Sequence, residues 1–226
     1  MNKFFDIDGP LITGLTKVAD VFIVNLLFIL CSIPIITIGP AMTAMYYVTL
    51  KMVKDEDSYT VKSFFKSFVQ NLKQGIVIWI IMAAIGAVLY FDTKFMNGDF
   101  SQIATVSDLS SKIMGVLIMA AGVLYLFTIS YVFPVLARFD NTVKNTIKNA
   151  LLMSIRHLPS TIAIVAINVI PLLIMYVFPK ALILIFVIFG LCAYYCSSFF
   201  VKIFKNYMTE ENITSDENFE VNMEEK

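Results

Sequence analysis

The chain has 226 residues, of which 58% are hydrophobic types and only 15% are Asp, Glu, Lys or Arg. A soluble domain carries roughly 25% charged residues, and a surface of this size cannot be covered with so few, so a soluble globular enzyme is excluded. Seventeen basic and seventeen acidic side chains cancel, which argues against a nucleic-acid binder.

At the N-terminus, Asp6 and Asp8 precede a Gly9-Pro10 helix start. No small-residue cleavage site follows a short apolar core, so the first helix is expected to stay in the protein and not to leave as a secretory signal.

A bilayer core about 30 Å thick takes roughly 20 apolar helical residues to cross. Five stretches free of Asp, Glu, Lys and Arg meet that need: 21–50, 74–91, 113–137, 158–179 (just after His157) and 181–201. None alternates polar with apolar positions, which a barrel strand would require. The expected fold is an all-α, polytopic helical membrane protein.

The first stretch has 30 residues and would reach about 45 Å as one straight helix. Pro34, Gly39 and Pro40 interrupt it, and proline disfavours helix both at its own position and in the residue before it. A hairpin follows, with one helix to about Ile38 and a shorter one over 40–53. The alternative is a single tilted, kinked span.

Basic residues help to choose between them. Six membrane helices leave Lys94, Lys112 and Lys180 outside and the other fourteen basic residues inside, whereas five spans move Lys3 and Lys17 outside as well. The positive-inside rule favours six, with both termini cytoplasmic.

The two large inner loops share a pattern. Thr60-Val61-Lys62 with Lys66 and Ser67 lines up with Thr142-Val143-Lys144 with Lys148 and Asn149. Apolar residues at helical spacing accompany each copy, Val61, Phe64, Phe65 and Phe68 in one and Val143, Ile147 and Leu151 in the other, so two cytoplasmic interfacial amphipathic helices are expected. Parallel repeats at 40–91 and 113–178 would account for the match, and so would convergence of lysine-rich loops. Residues 1–205 form the membrane domain, and 206–226, with seven acidic residues and one lysine, read as an acidic, disordered cytoplasmic tail.

Residues with chemical potential are few. His157 is the sole histidine and has no carboxylate or cysteine beside it, while Cys192 and Cys196 lack the further ligands a metal requires. No catalytic, metal or cofactor site is expected, and the protein is not expected to be an enzyme. The embedded polar residues Asn25, Thr37, Thr43 and Asn168, with the break at Gly39 and Pro40, are the candidates for a polar path; helix-to-helix hydrogen bonding explains the same residues. Lys62, Lys66, Arg138, Lys144 and Lys148 are candidates for docking at the inner face.

The stretch 25–41, with Asn25, Pro34, Thr37, Gly39 and Pro40, resembles the signature of the YesL-like family of bacterial integral membrane proteins. So do Tyr46-Tyr47, the run 63–68, the run 134–140 containing Ala137-Arg138-Phe139, and Asn149-Ala150-Leu151-Leu152. The resemblance implies no established activity and no ligand residues. It implies a bacterial cytoplasmic membrane location and an association, by genomic neighbourhood, with carbohydrate permeases and sensor kinases. The expected role is accessory to carbohydrate uptake or sensing through protein contacts, with the lipid bilayer, permease or sensor-kinase components and a second copy of the chain as partners. A small sugar transporter in its own right is the alternative, with Tyr46, Tyr47, Trp79, Tyr125 and Tyr131 as aromatic platforms.

Overall fold

The computed structural model describes residues 10–56, 59–97, 108–178 and 185–208. Lys3, Lys180 and the tail from residue 209 on, Lys226 included, lie outside the described residues. In lipid the backbone finds no water to bond, so an apolar segment must satisfy its own donors, and helices result. They are α1 (Pro10–Cys31), α2 (Ile38–Val53), α3 (Thr60–Gln70), α4 (Leu72–Asn97), α5 (Asp108–Arg138), α6 (Val143–Arg156), α7 (Leu158–Val177) and α8 (Ile185–Lys205). Among the described residues there is no strand.

Five helices, α1, α4, α5, α7 and α8, are long and apolar enough to cross a membrane. The chain is a multi-pass, all-α membrane protein whose surroundings are a lipid bilayer. The short helix α2, 16 residues, is not among the five.

The first uncharged stretch is two helices, but it breaks earlier than Gly39. Helix α1 stops at Cys31, a turn of 3-10 helix covers Ile35–Thr37, and α2 begins at Ile38. Pro34 ends α1 because it brings no N–H for the Leu30 carbonyl and its ring crowds that turn. The Thr37 hydroxyl then donates to the carbonyls of Cys31, at 2.6 Å, and Pro34, at 2.7 Å, and so covers the helix end. Pro40 falls in the first turn of α2, where a missing donor costs nothing.

Both ends of this unit are closed. Near the start of α1, Lys17 pairs with Asp55 just past α2, and the Thr60 hydroxyl donates to the Asp20 carboxylate at 2.8 Å. Asp55 itself has a positive φ of 56°, a left-handed position that ends α2 and that Asp tolerates better than most residues. Helices α1 and α2 therefore form an antiparallel hairpin.

Helix α8 crosses that hairpin. It meets α1 at Gly190, beside Val21 and Asn25, and meets α2 later, where Ser197 faces Thr49 and Phe200 faces Tyr46. The seven residues from Gly190 to Ser197 rise about 10 Å, which is the spacing between two packed helix axes. One helix thus passes the two arms in succession.

Association within lipid depends on close packing of small residues, since lipid tails are as apolar as leucine. Helix α2 supplies such a face: Gly39, Pro40, Ala41, Thr43 and Ala44 are all buried. At Gly39 an added methyl would lie 2.8 Å from Trp79 Cβ and closer still to the Gly75 carbonyl oxygen; at Gly75 it would lie 2.8 Å from the Pro40 nitrogen. The start of α2 and the first turn of α4 touch backbone to backbone. Gln74 next door donates to the Asn141 carbonyl at 3.1 Å, which brings the end of α5 to the same end of the bundle.

The two amphipathic helices are built alike. Helix α3 packs mainly along α2 and α6 mainly along α5, and one turn residue, Asn71 or His157, separates each from the long helix that follows. Phe64 and Thr146, equivalent in the shared pattern, are both fully buried. The buried face of α3 is Thr60, Phe64 and Ser67, not the whole apolar set: Val61 and Phe65 point away from the protein.

Candidate functional site

The embedded polar residues divide into separate contacts. Asn25 is fully buried; its amide donates to the Ile185 carbonyl at 3.2 Å, and its carbonyl oxygen accepts from the Gly190 N–H at 2.8 Å. It thus clamps the first turns of α8 to α1, and the absence of a side chain at Gly190 lets the two helices approach. Thr43 is buried and bonds only its own helix, at the Gly39 carbonyl, 3.0 Å away. Asn168 on α7 donates to the Ile164 carbonyl at 2.8 Å and to Cys196 Sγ at 3.3 Å on α8.

Those contacts do not meet. Asn25 engages α8 at residues 185 and 190, Asn168 engages it at residue 196, and Thr37 bonds within the hairpin turn. Gly39 and Pro40 are occupied in the crossing with Gly75.

Pairings that sequence reasoning did not foresee complete the inner framework. Thr49 and Ser197 share a hydrogen bond of 2.8 Å between α2 and α8. The Tyr131 hydroxyl and Thr161 share another of 2.8 Å between α5 and α7, and Thr161 donates on to the Ser154 carbonyl of α6 at 2.7 Å. Tyr46 and Tyr131 both present their rings to Phe200, edge to face, with centroids 5.9 and 5.0 Å away. Trp79 leans on Phe133, Tyr125 covers Gly86, and Lys51 lies over Tyr47. The five aromatic residues are spread through the packing and do not form one platform. Short sequence patterns could not have found the Tyr131–Thr161 and Thr49–Ser197 pairs, whose members are 30 and 148 residues apart.

The inner-face candidates fall on two packing units. Lys62 is exposed and Lys66 half-buried on α3; Lys144 and Lys148 are exposed on α6. Arg138, at the end of α5, reaches Met208 Sδ at 3.7 Å. Beside Lys62 and Lys66, the residues Val61, Phe65 and Val69 form an exposed apolar stripe at helical spacing.

Where α5, α6, α7 and α8 end or begin together, a groove of about 580 Å³ opens, lined by Phe139, Asn141, Asn149, Leu152, Met153, Ile155, Arg156 and Tyr207. Tyr207 forms one wall: its hydroxyl is 3.2 Å from His157 Nε2, and the Arg156 guanidinium sits 5.7 Å from its ring centre. Among the described residues, no three His, Cys, Asp or Glu side chains gather in a metal-binding group.

Residues 21–93 match the model of a family described as a protein of unknown function, DUF624. That segment holds the buried half of α1, the hairpin turn, α2, α3 and nearly all of α4, and so the whole Gly39–Gly75 crossing. Over 145 residues the chain is 27% identical to the uncharacterized protein YteU of Bacillus subtilis (strain 168). The match takes in 64% of this chain and 62% of the relative, less than two thirds of that protein's length. No solved structure matches the chain. With a DUF624 segment at 21–93 and YteU as a relative, the resemblance to the YesL-like family of unknown function is borne out.

Proposed function

We propose that the protein is a non-catalytic accessory component of the bacterial cytoplasmic membrane, with its C-terminus cytoplasmic. It assists carbohydrate uptake or sensing by holding a permease or sensor-kinase component at the inner face. The observation that carries this reading is the outer surface of α3, where Val61, Phe65 and Val69 stand exposed beside Lys62. An amphipathic helix with an apolar stripe and adjoining lysines suits the interfacial zone and a partner helix there. The carbohydrate part rests on the family resemblance. The embedded polar groups support the accessory role over a transport role, since Asn25, Asn168, Thr49 and Tyr131 bond protein groups in separate places.

A photo-reactive phenylalanine analogue at Phe65 tests this in cells grown on the relevant sugar. An adduct with a permease or sensor subunit is the expected result, and its loss when Lys62 and Lys66 become Glu ties it to this surface. Adducts with lipid or with the protein itself alone would overturn the reading. Sugar flux into liposomes carrying only the purified protein would instead make it a transporter in its own right.

A further inference from the structure

We infer that the groove at the α6–α7 junction is a headgroup site for an anionic phospholipid. Its lining divides into two chemistries. Asn141, Asn149 and Arg156 offer amide and guanidinium donors, with the Tyr207 hydroxyl engaged by His157, while Phe139, Leu152, Met153 and Ile155 are apolar. An amphiphile with an anionic head satisfies both: the guanidinium takes the phosphate through paired N–H donors, and amide groups take ester or glycerol oxygens.

The apolar side of the groove does not end at its rim. Leu152 and Ile155 continue into Leu158 and Ile162, and all four are exposed. Leu152 and Ile155, three apart, share a face of α6, and Leu158 and Ile162, four apart, share a face of α7, which follows after the turn at His157 and is long and apolar enough to cross the bilayer. An acyl chain can lie against these exposed side chains while its headgroup occupies the groove. Arg156 and His157 stand at the junction, where the span begins and headgroups are found.

Charge complementarity selects the sign. Arg156 lines the groove, Lys144 and Lys148 stand exposed on the same short helix, and no acidic residue is in the lining. The acidic residues downstream of Met208 are the rival occupant, because the chain leaves α8 beside Tyr207. They lack the long apolar chain that the exposed Leu152, Ile155, Leu158 and Ile162 would cover, which is why the lipid is favoured.

Native mass spectrometry of the full-length protein tests this, with phosphatidylglycerol and phosphatidylcholine titrated in matched amounts. Wild type should retain phosphatidylglycerol preferentially. Arg156→Gln should weaken that retention about fivefold, the effect of one basic side chain at a membrane surface, and leave phosphatidylcholine unchanged. Lys148→Gln, on α6 but outside the groove lining, should have a much smaller effect. Unchanged circular dichroism and elution volume keep misfolding apart from lost binding. Equal retention of the two lipids by wild type would overturn the proposal. So would equal losses from Arg156→Gln and Lys148→Gln, which would mean a diffuse surface charge. A lipid count that responds to deletion of residues 209–226 but not to Arg156→Gln would assign the groove to the acidic segment and equally overturn it.

Discussion

Gly39 and Gly75 meet without a side chain between them, and that contact joins the start of α2 to the first turn of α4. Backbone lies on both sides, so neither partner can move aside as a flexible side chain would. Overpacking of this kind costs about 1–3 kcal/mol, whereas Gly to Ala in an open helix position gains about 1 kcal/mol. Gly75→Ala and Gly39→Ala should therefore lower the apparent Tm in detergent. Gly122→Ala, where nothing lies within 4 Å of an added methyl, should leave it unchanged or raise it. If all three variants melt alike, the crossing is not tight.

Asn25 serves α8 with both ends of its amide. Asn25→Leu keeps the branched outline of the side chain but removes both of its hydrogen bonds to α8. The expected loss is about 0.6–1.7 kcal/mol, the measured range for polar contacts between helices within membranes. Gly190→Ala should also destabilise, because its methyl would lie 2.9 Å from Asn25 Cβ and 2.7 Å from the Val21 carbonyl oxygen. Unfolding in graded SDS reads both, and wild-type stability of either variant would contradict the clamp.

The hydroxyl pair Thr49 and Ser197 is suited to a double-mutant cycle, since Thr49→Val and Ser197→Ala each remove one partner with little change in shape. A coupling of about 0.6 kcal/mol is expected, with about 1.7 kcal/mol as the ceiling. Zero coupling would mean that α2 and α8 are held by packing alone.

The hairpin makes a covalent prediction. In a cysteine-free background, Lys17→Cys with Asp55→Cys should be joined by a short bifunctional maleimide, since those two side chains form an ion pair. A single continuous span through 21–50 would hold them tens of ångströms apart. The ion pair itself contributes about 0–1 kcal/mol, because the side chains are 34% and 74% exposed. Removing it by Lys17→Gln should scarcely change stability.

The long helices were legible because lipid excludes charge: gaps between ionisable residues mark them whatever else the chain does. The α1–α2 turn was harder. Pro34 and Pro40 both signal a break, and only the Thr37 hydroxyl bonding back to Cys31 and Pro34 shows which one ends α1. On α3, periodicity could not separate Phe64, which faces protein, from Phe65, which does not, since apolar side chains suit both core and lipid. Gly75 and Gly190 were invisible for another reason. Their meaning lies in partners 36 and 165 residues away, Gly39 and Asn25, and no local pattern encodes such a distance.

The accessory role depends on α3 and α6 presenting their lysines to the cytoplasm, and side-specific cysteine labelling measures that directly. Lys62→Cys and Lys148→Cys, each alone in a cysteine-free background, should react with a membrane-impermeant maleimide only after the cells are permeabilised, while Lys94→Cys on α4 should react in intact cells. Labelling of residue 62 or 148 from outside would contradict the account.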